Sequence, residues 1–432
     1  MANAGPRAAT PQAAAPNATA LTPQLKLFVK VQLFLILACV AAEIFCHFVL
    51  HLGAPYDYPF LARGETFWDF ILFFHRFRFF HRPEFFTVDP GYPFLYPAPV
   101  AVLYEVFFVF RIFSLPLFLL FILECFVVSA FMLDRTLQRR GLSSNRSAGF
   151  VAASLLLSYP LWFDIKQGNI EIGIWLFVAL GVWAFCAGKG YKAAACFGIA
   201  GSMKIFPFVY LGLLIARRKY RETAFAVLVA FVTTVVSLWL LGGIHVRAAW
   251  RNVEAGVNGF RTIYVLHYRP NEIGFDHSLF ALIKCCVPHP PLLEVPPLLL
   301  TAYLAIAAAA GIALYFLRIR NLPLINQVLC LSVASILLPP VSSDYTLMHL
   351  YIPWAMLVLF AQEQTNLRRA VPGLAAAFVL LAILFAPESE FIYDAVRFGG
   401  QLKAGALVAL MFVGLRYSFA ANAAADTEAL TV

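Results

Sequence analysis

The stretch Ile205–Gly243 reads IFPFVYLGLLIARRKYRETAFAVLVAFVTTVVSLWLLGG. An apolar run ends in Arg217, Arg218, Lys219 and Arg221, and a longer run follows with no charge after Glu222. A helical bilayer span needs roughly 20 mostly apolar residues, which 222–243 supplies. Connectors rich in Arg and Lys stay in the cytoplasm. The stretch therefore reads as an apolar helix, a cytoplasmic turn and a membrane span.

The pattern repeats in both directions. Further spans are expected at 31–50, 115–133, 147–163, 170–187, 191–203, 205–216, 296–317, 322–338, 345–361, 370–386 and 401–416. That makes about 12, or on the order of 240 residues of span. The pair at 191–216 is short on both sides of Lys204 and reads as a hairpin that does not fully cross. The composition agrees: of 432 residues, 62% are hydrophobic and 13% charged, and mean hydropathy is +0.79. A soluble domain is about half apolar and a quarter charged. Soluble enzymes, disordered chains and fibrous repeats are excluded. The apolar runs are long and continuous rather than short and alternating, which argues against an outer-membrane barrel.

The fold expected is all-α: a polytopic membrane protein with juxtamembrane helices in its outer loops. Residues 1–24, rich in Ala, Pro, Thr and Asn, are expected to be a disordered cytoplasmic N-terminus. Residues 25–417 form the integral-membrane domain, and 418–432 a flexible cytoplasmic tail. Lys26 and Lys30 precede 31–50, which carries no small-residue cleavage site, so it reads as a retained helix rather than a signal peptide. The net charge of +9 is assigned to cytoplasmic loops and anionic headgroups, and no nucleic-acid partner is expected. Six of the eight cysteines lie in apolar runs, and Cys285 and Cys286 are adjacent. There is no C-x-x-C pair, hence no zinc or redox motif. No metal and no cofactor are expected.

Basic residues set the orientation. Arg135, Arg139, Arg140 and Arg146 fall in one connector; Lys189 and Lys192, Arg217 to Arg221, Arg318 and Arg320, Arg368 and Arg369, and Arg416 continue the series. All lie on one side if 95–113, broken by Pro97, Pro99 and Glu105, is a juxtamembrane or re-entrant helix. The opposite face collects all nine histidines, with Asp69, Asp164, Asp276 and Asp344. Its loops 51–94 and 244–295 are long and rich in Arg, His and aromatics. Polar groups gathered on one face point to chemistry there.

Several motifs on that face are candidates. Asp69 sits between Trp68 and Phe70, where an unpartnered carboxylate near a low-dielectric surface is costly. The run His75-Arg76-Phe77-Arg78 and His81-Arg82 reads equally as an interfacial helix with snorkelling arginines. Tyr92 to Pro99 is proline-rich and expected to form an ordered turn or an irregular loop. Gln167 and Asn169 offer donors and acceptors suited to sugar hydroxyls, with Asn169 as helix cap the alternative. Lys204, alone in an apolar stretch, needs an anion, either a phosphate or a carboxylate of the bundle. Asn271-Glu272 and Asp276-His277-Ser278 open a helix-like run. Asp344, Tyr345 and His349 stand at the mouth of a span, where Ser343 and Asp344 could instead act as caps.

In order, Asp69-Phe70, Tyr96-Pro97-x-Pro99, Gln167-Gly168-Asn169, Gly198…Lys204-x-x-Pro207…Arg217-Arg218, Asp276-His277-Ser278 and Pro340-x-Ser342-x-Asp344 give the chain a resemblance. It resembles the bacterial polyprenol-phosphate-mannose-dependent α-mannosyltransferases of the GT-C class, from about residue 60 to 360. Ser343 stands where that family has Trp, and Tyr345 where it has His. The resemblance implies a GT-C-like fold, a polyprenyl-phosphate-sugar donor, a glycolipid or glycan acceptor and catalysis on the outer, periplasmic face of the plasma membrane. It implies Asp69 as the general base.

The residues then take roles in a direct, inverting displacement. Asp69 removes the acceptor proton. Lys204, with Arg or His residues of 244–295, neutralises the leaving phosphate. Gln167, Asn169, Asp276, His277, Asp344, Tyr345 and His349 are the remaining substrate-binding candidates. A transporter or flippase would place polar sites near the midplane with inverted repeats, and neither pattern is visible. A ligase or polymerase using a lipid-diphosphate donor would share this topology.

Overall fold

The computed structural model describes residues 20–51, 66–82, 85, 94–267, 276–286, 294–366, 371–387 and 399–420. Among these residues there is no β-strand, only an isolated bridge between His267 and Glu294. The candidate residues Tyr92, Pro93, Asn271, Glu272 and His289 lie outside the described set.

Helix α1, Pro23–Phe48, starts where Thr22 accepts a hydrogen bond from the Leu25 amide at 3.2 Å and Pro23 occupies the first turn, a favourable start. It thus begins inside the 1–24 segment expected to be loose. At the other end, residues 418–420 are held rather than free: the Phe419 amide donates to Asn326 Oδ1 at 2.8 Å.

Among the described residues, five helical segments are long and apolar enough to cross a membrane: Pro23–Ala42, Arg111–Arg139, Tyr220–Gly242, Pro297–Asn321 and Asp344–Gln364. Of the roughly 12 spans expected, these are the ones that meet the requirement by length and composition. The expected single span 147–163 is two helices, α5 (Ser144–Leu156) and α6 (Tyr159–Gln167), bent by 51°. The cause is Pro160. It has no N–H to give the Leu156 carbonyl, and Trp162 Nε1 donates there instead at 2.7 Å. Counted as one broken span, the pair brings the total to six.

Other expected spans are short helices: α7 (Glu171–Cys186), α14 (Leu324–Leu337) and α16 (Leu374–Leu384). At 1.5 Å per residue they reach roughly 16 to 24 Å, short of the roughly 30 Å hydrocarbon core. Of these, α14 faces protein at almost every position, whereas Leu180 and Trp183 of α7 are exposed. Within 95–113, the stretch expected to be juxtamembrane or re-entrant, α3 (Ala98–Phe108) is 11 residues long.

The hairpin around Lys204 consists of α8 (Gly190–Met203), a 3-10 turn at Phe206–Tyr210 and α9 (Leu211–Ala216). Helix α8 packs between α7 and α10 (Tyr220–Gly242). Gly198 makes that approach possible, since a Cβ there would lie 2.4 Å from the Ala226 carbonyl oxygen. Lys204 adopts an extended backbone where α8 ends, so its side chain leaves the helix line. Arg140, just past α4 (Ser114–Arg139), pairs with Glu363 of α15 (Tyr351–Asn366) at 3.0 Å.

Candidate active site

Helix α2, Trp68–Phe74, brings Asp69 to the site. It is anchored by burial rather than laid on a surface. Phe70 packs on Phe118 and Phe108 at ring distances of 4.8 and 5.0 Å, and Phe73 on Phe94 at 4.7 Å. Trp68 remains exposed at 44% beside it.

The turn after α6 meets this helix closely. Gly168 has φ +64°, and a Cβ on it would fall 2.8 Å from Phe70 Cβ and 3.2 Å from Phe67 Cα. Only glycine permits both the backbone angle and the approach. The Phe67 amide donates to the Lys166 carbonyl at 2.5 Å, and Tyr104 donates to the Gly168 carbonyl at 3.3 Å. The turn therefore sets Asn169 against Asp69. Gly168→Ala is expected to cost about 1–3 kcal/mol of stability, read by thermal unfolding. By displacing Asn169 it is expected to slow turnover about tenfold.

Asn169 is fully buried and uses its whole amide. Its Nδ2 donates to Asp69 Oδ2 at 2.7 Å and to the Tyr96 hydroxyl at 2.8 Å, while its Oδ1 accepts from the Glu171 amide at 3.0 Å. The capping reading of Asn169 is thus partly realised, since one end holds the first amide of α7, while the other end orients a carboxylate. Burial pushes the Asp69 carboxyl up to about 6 from its ordinary 3.8, and the hydrogen bond from Asn169 opposes that rise. The Asp69 side chain still keeps partial exposure, as do Tyr96, Gln167, Lys204 and Tyr345.

Lys204 Nζ lies 2.8 Å from Glu171 Oε2 and 5.3 Å from the centre of the Tyr345 ring. Of the two anions expected for Lys204, a bundle carboxylate is therefore present. Glu171, 1% exposed, also holds His349, whose Nε2 is 2.9 Å from Oε1. Tyr345 stacks on Phe163 of α6 at 6.0 Å.

The other candidates form a neighbouring cluster. Asp344 Oδ1 lies 2.5 Å from Lys403 Nζ of α17 (Gly399–Arg416) and 3.6 Å from His277 Nε2. Asp276 Oδ1 accepts from the amides of Ser278 and Ser342, each at 2.9 Å. The His277 amide donates to the Ser342 carbonyl at 2.9 Å. This clamp stitches the 276–278 segment to 340–344, a structural task for residues expected to meet substrate. The Ser343 and Asp344 side chains do not cap the 3-10 helix Asp344–Leu350.

A family model described as Glycosyltransferase family 87 matches residues 94–340, more than half of the chain. The chain belongs to glycosyltransferase family 87. No solved structure matches it. The matched segment of this glycosyltransferase contains Tyr96, Gln167, Asn169, Glu171, Lys204, Asp276 and His277. Asp69, Asp344, Tyr345, His349 and Lys403 lie outside it. Membership makes the chain a transferase, and its apolar helices fit a membrane setting.

Two residues at this glycosyltransferase site were not among the expected ones. Glu171 had a readable signal: like Lys204, it is a charge beside an apolar run, and the two answer each other. Lys403 had none, because its partner lies 59 positions away. Tyr96 was named only as part of the proline-rich run, and its partner Asn169 lies 73 positions away. Among the described residues, no group of three or more His, Cys, Asp or Glu side chains is placed to hold a metal ion.

Proposed function

We propose that this glycosyltransferase moves a hexose, mannose in particular, from a polyprenyl-phosphate sugar to a glycolipid or glycan acceptor at the outer face of the plasma membrane. The observation that carries the reading is the oriented carboxyl of Asp69. It is held by Asn169, raised to about 6 and partly open. A base poised near the working pH is what proton removal from a hydroxyl requires.

In the reaction, the acceptor oxygen attacks the anomeric carbon as its proton passes to Asp69. The bond from that carbon to the phosphate oxygen breaks, and its electron pair leaves with polyprenyl phosphate. One displacement inverts the anomeric centre, so a β-linked donor gives an α product. Lys204, the cation on the same open side, takes up charge that develops on the phosphate. Gln167, Tyr345 and Tyr96 are positioned to meet sugar hydroxyls.

Purified protein offered a radiolabelled polyprenyl-monophosphate mannose and a glycolipid acceptor is expected to form labelled product. Turnover only with a lipid-diphosphate sugar would replace this reading with that of a ligase or polymerase, and lipid movement without bond exchange would replace it with a flippase. The topology has its own check. A single cysteine near Arg139 is expected to resist membrane-impermeant reagents in intact cells, and one in 244–295 to react. Labelling near Arg139 would overturn the outer-face assignment.

A further inference from the structure

Glu171 is a buried acid with a partner on each carboxylate oxygen, and the mechanism above gives it no task. It is 1% exposed. Each carboxylate oxygen has its own partner: Oε2 the Lys204 ammonium at 2.8 Å, Oε1 the His349 ring at 2.9 Å. Its amide is fixed by Asn169, the residue that also orients Asp69. Lys204 follows the end of α8 and His349 lies in the 3-10 helix Asp344–Leu350, so Glu171 joins two otherwise separate elements to the start of α7.

We propose that Glu171 is the positioning residue that sets Lys204, and His349 with it, for a phosphate-bearing substrate. This inference deepens the function proposed above and rests on it. A lysine side chain carries a compact charge on a flexible four-carbon stem, and it loses rotamer freedom when held. Left alone in an apolar surround, Lys204 would sample orientations away from the site. The Glu171 contact restricts that search before substrate arrives, and an arriving phosphate meets an ammonium already in place. Preorganised charge of this kind needs no reorganisation during reaction. Because both partners hang on one carboxylate, loss of either arm is felt at the other.

The test is a double-mutant cycle on the full-length protein, with steady-state kinetics on a polyprenyl-monophosphate sugar and thermal unfolding in parallel. Glu171→Ala is expected to lower kcat/KM for the donor about 10- to 100-fold, within the range of coupling between contacting groups. Glu171→Gln keeps the shape and an acceptor oxygen, and is expected to recover most of that loss. In a Lys204→Ala background, Glu171→Ala is expected to cost less than about twofold further, while still lowering the unfolding temperature. If the two losses instead multiply, Glu171 does not act through Lys204 and the proposal is overturned. If Glu171→Ala lowers the unfolding temperature and leaves kcat/KM unchanged, the contact is a structural ion pair and the proposal is again overturned. Wild-type protein inactive with this donor would remove the functional reading, and the inference with it. Active wild type with multiplicative losses removes the inference alone.

Discussion

Asp69→Asn is expected to reduce turnover by about 100- to 10,000-fold, the usual contribution of a positioned acid–base group. The amide keeps the size of the carboxyl and loses its basicity. Expression and donor binding should survive, because α2 is held by Phe70 and Phe73 rather than by Asp69. The competing carboxylates are Asp164, Asp276 and Asp344, and their Asn variants should cost less. Near-normal turnover of Asp69→Asn, with one of those three inactive, would place the base elsewhere.

The same residue sets a pH dependence with a definite sign. Asp69 accepts a proton only when ionised, and burial lifts it to about 6. The donor kcat/KM should therefore fall as pH drops through about 6, approaching tenfold per unit below it. For stability the sign is reversed. A carboxyl raised in the folded state favours folding while protonated, and that contribution is lost as pH rises from about 4 to about 6. A kcat/KM profile flat from pH 5 to 8 would show that Asp69 is not the base.

Lys204→Ala is expected to lower donor turnover by about 100- to 1,000-fold, as for loss of one charge-stabilising group at a reacting centre. The ammonium is the partly exposed member of its pair, at 20% side-chain exposure against 1% for Glu171. It can therefore turn to a substrate where Glu171 cannot. The effect should fall on the donor and leave the apparent acceptor affinity in place. Steady-state kinetics with each substrate varied in turn provides the measurement. An unchanged donor response would assign Lys204 wholly to its ion pair with Glu171.

Much of this protein was legible in its residues taken singly. The apolar runs determined a helical membrane protein, because backbone polar groups in lipid must be satisfied within a helix. Asp69 and Lys204 stood out because a charge among apolar neighbours needs a partner or a task. What the residues alone did not determine was which apolar runs face lipid. Helices such as Leu324–Leu337 are as apolar as true spans, and burial in protein and burial in lipid select the same side chains. The run 147–163 reads as one span, yet the structure bends it by 51° at Pro160, where Trp162 supplies the hydrogen bond that the proline cannot.

The division of labour among the site residues belonged to tertiary structure alone. Asp276 and Asn169 are similar polar side chains on similar turns. One clamps backbone amides of the 340–344 segment, and the other aims the Asp69 carboxyl. Lys204 and Glu171 are 33 positions apart, His349 and Glu171 178. Composition and local pattern determine which side chains cannot remain alone in an apolar medium. Only the packing of α2, α6, α7 and α8 decides which of them meet, because hydrogen bonds act over about 3 Å and depend on direction.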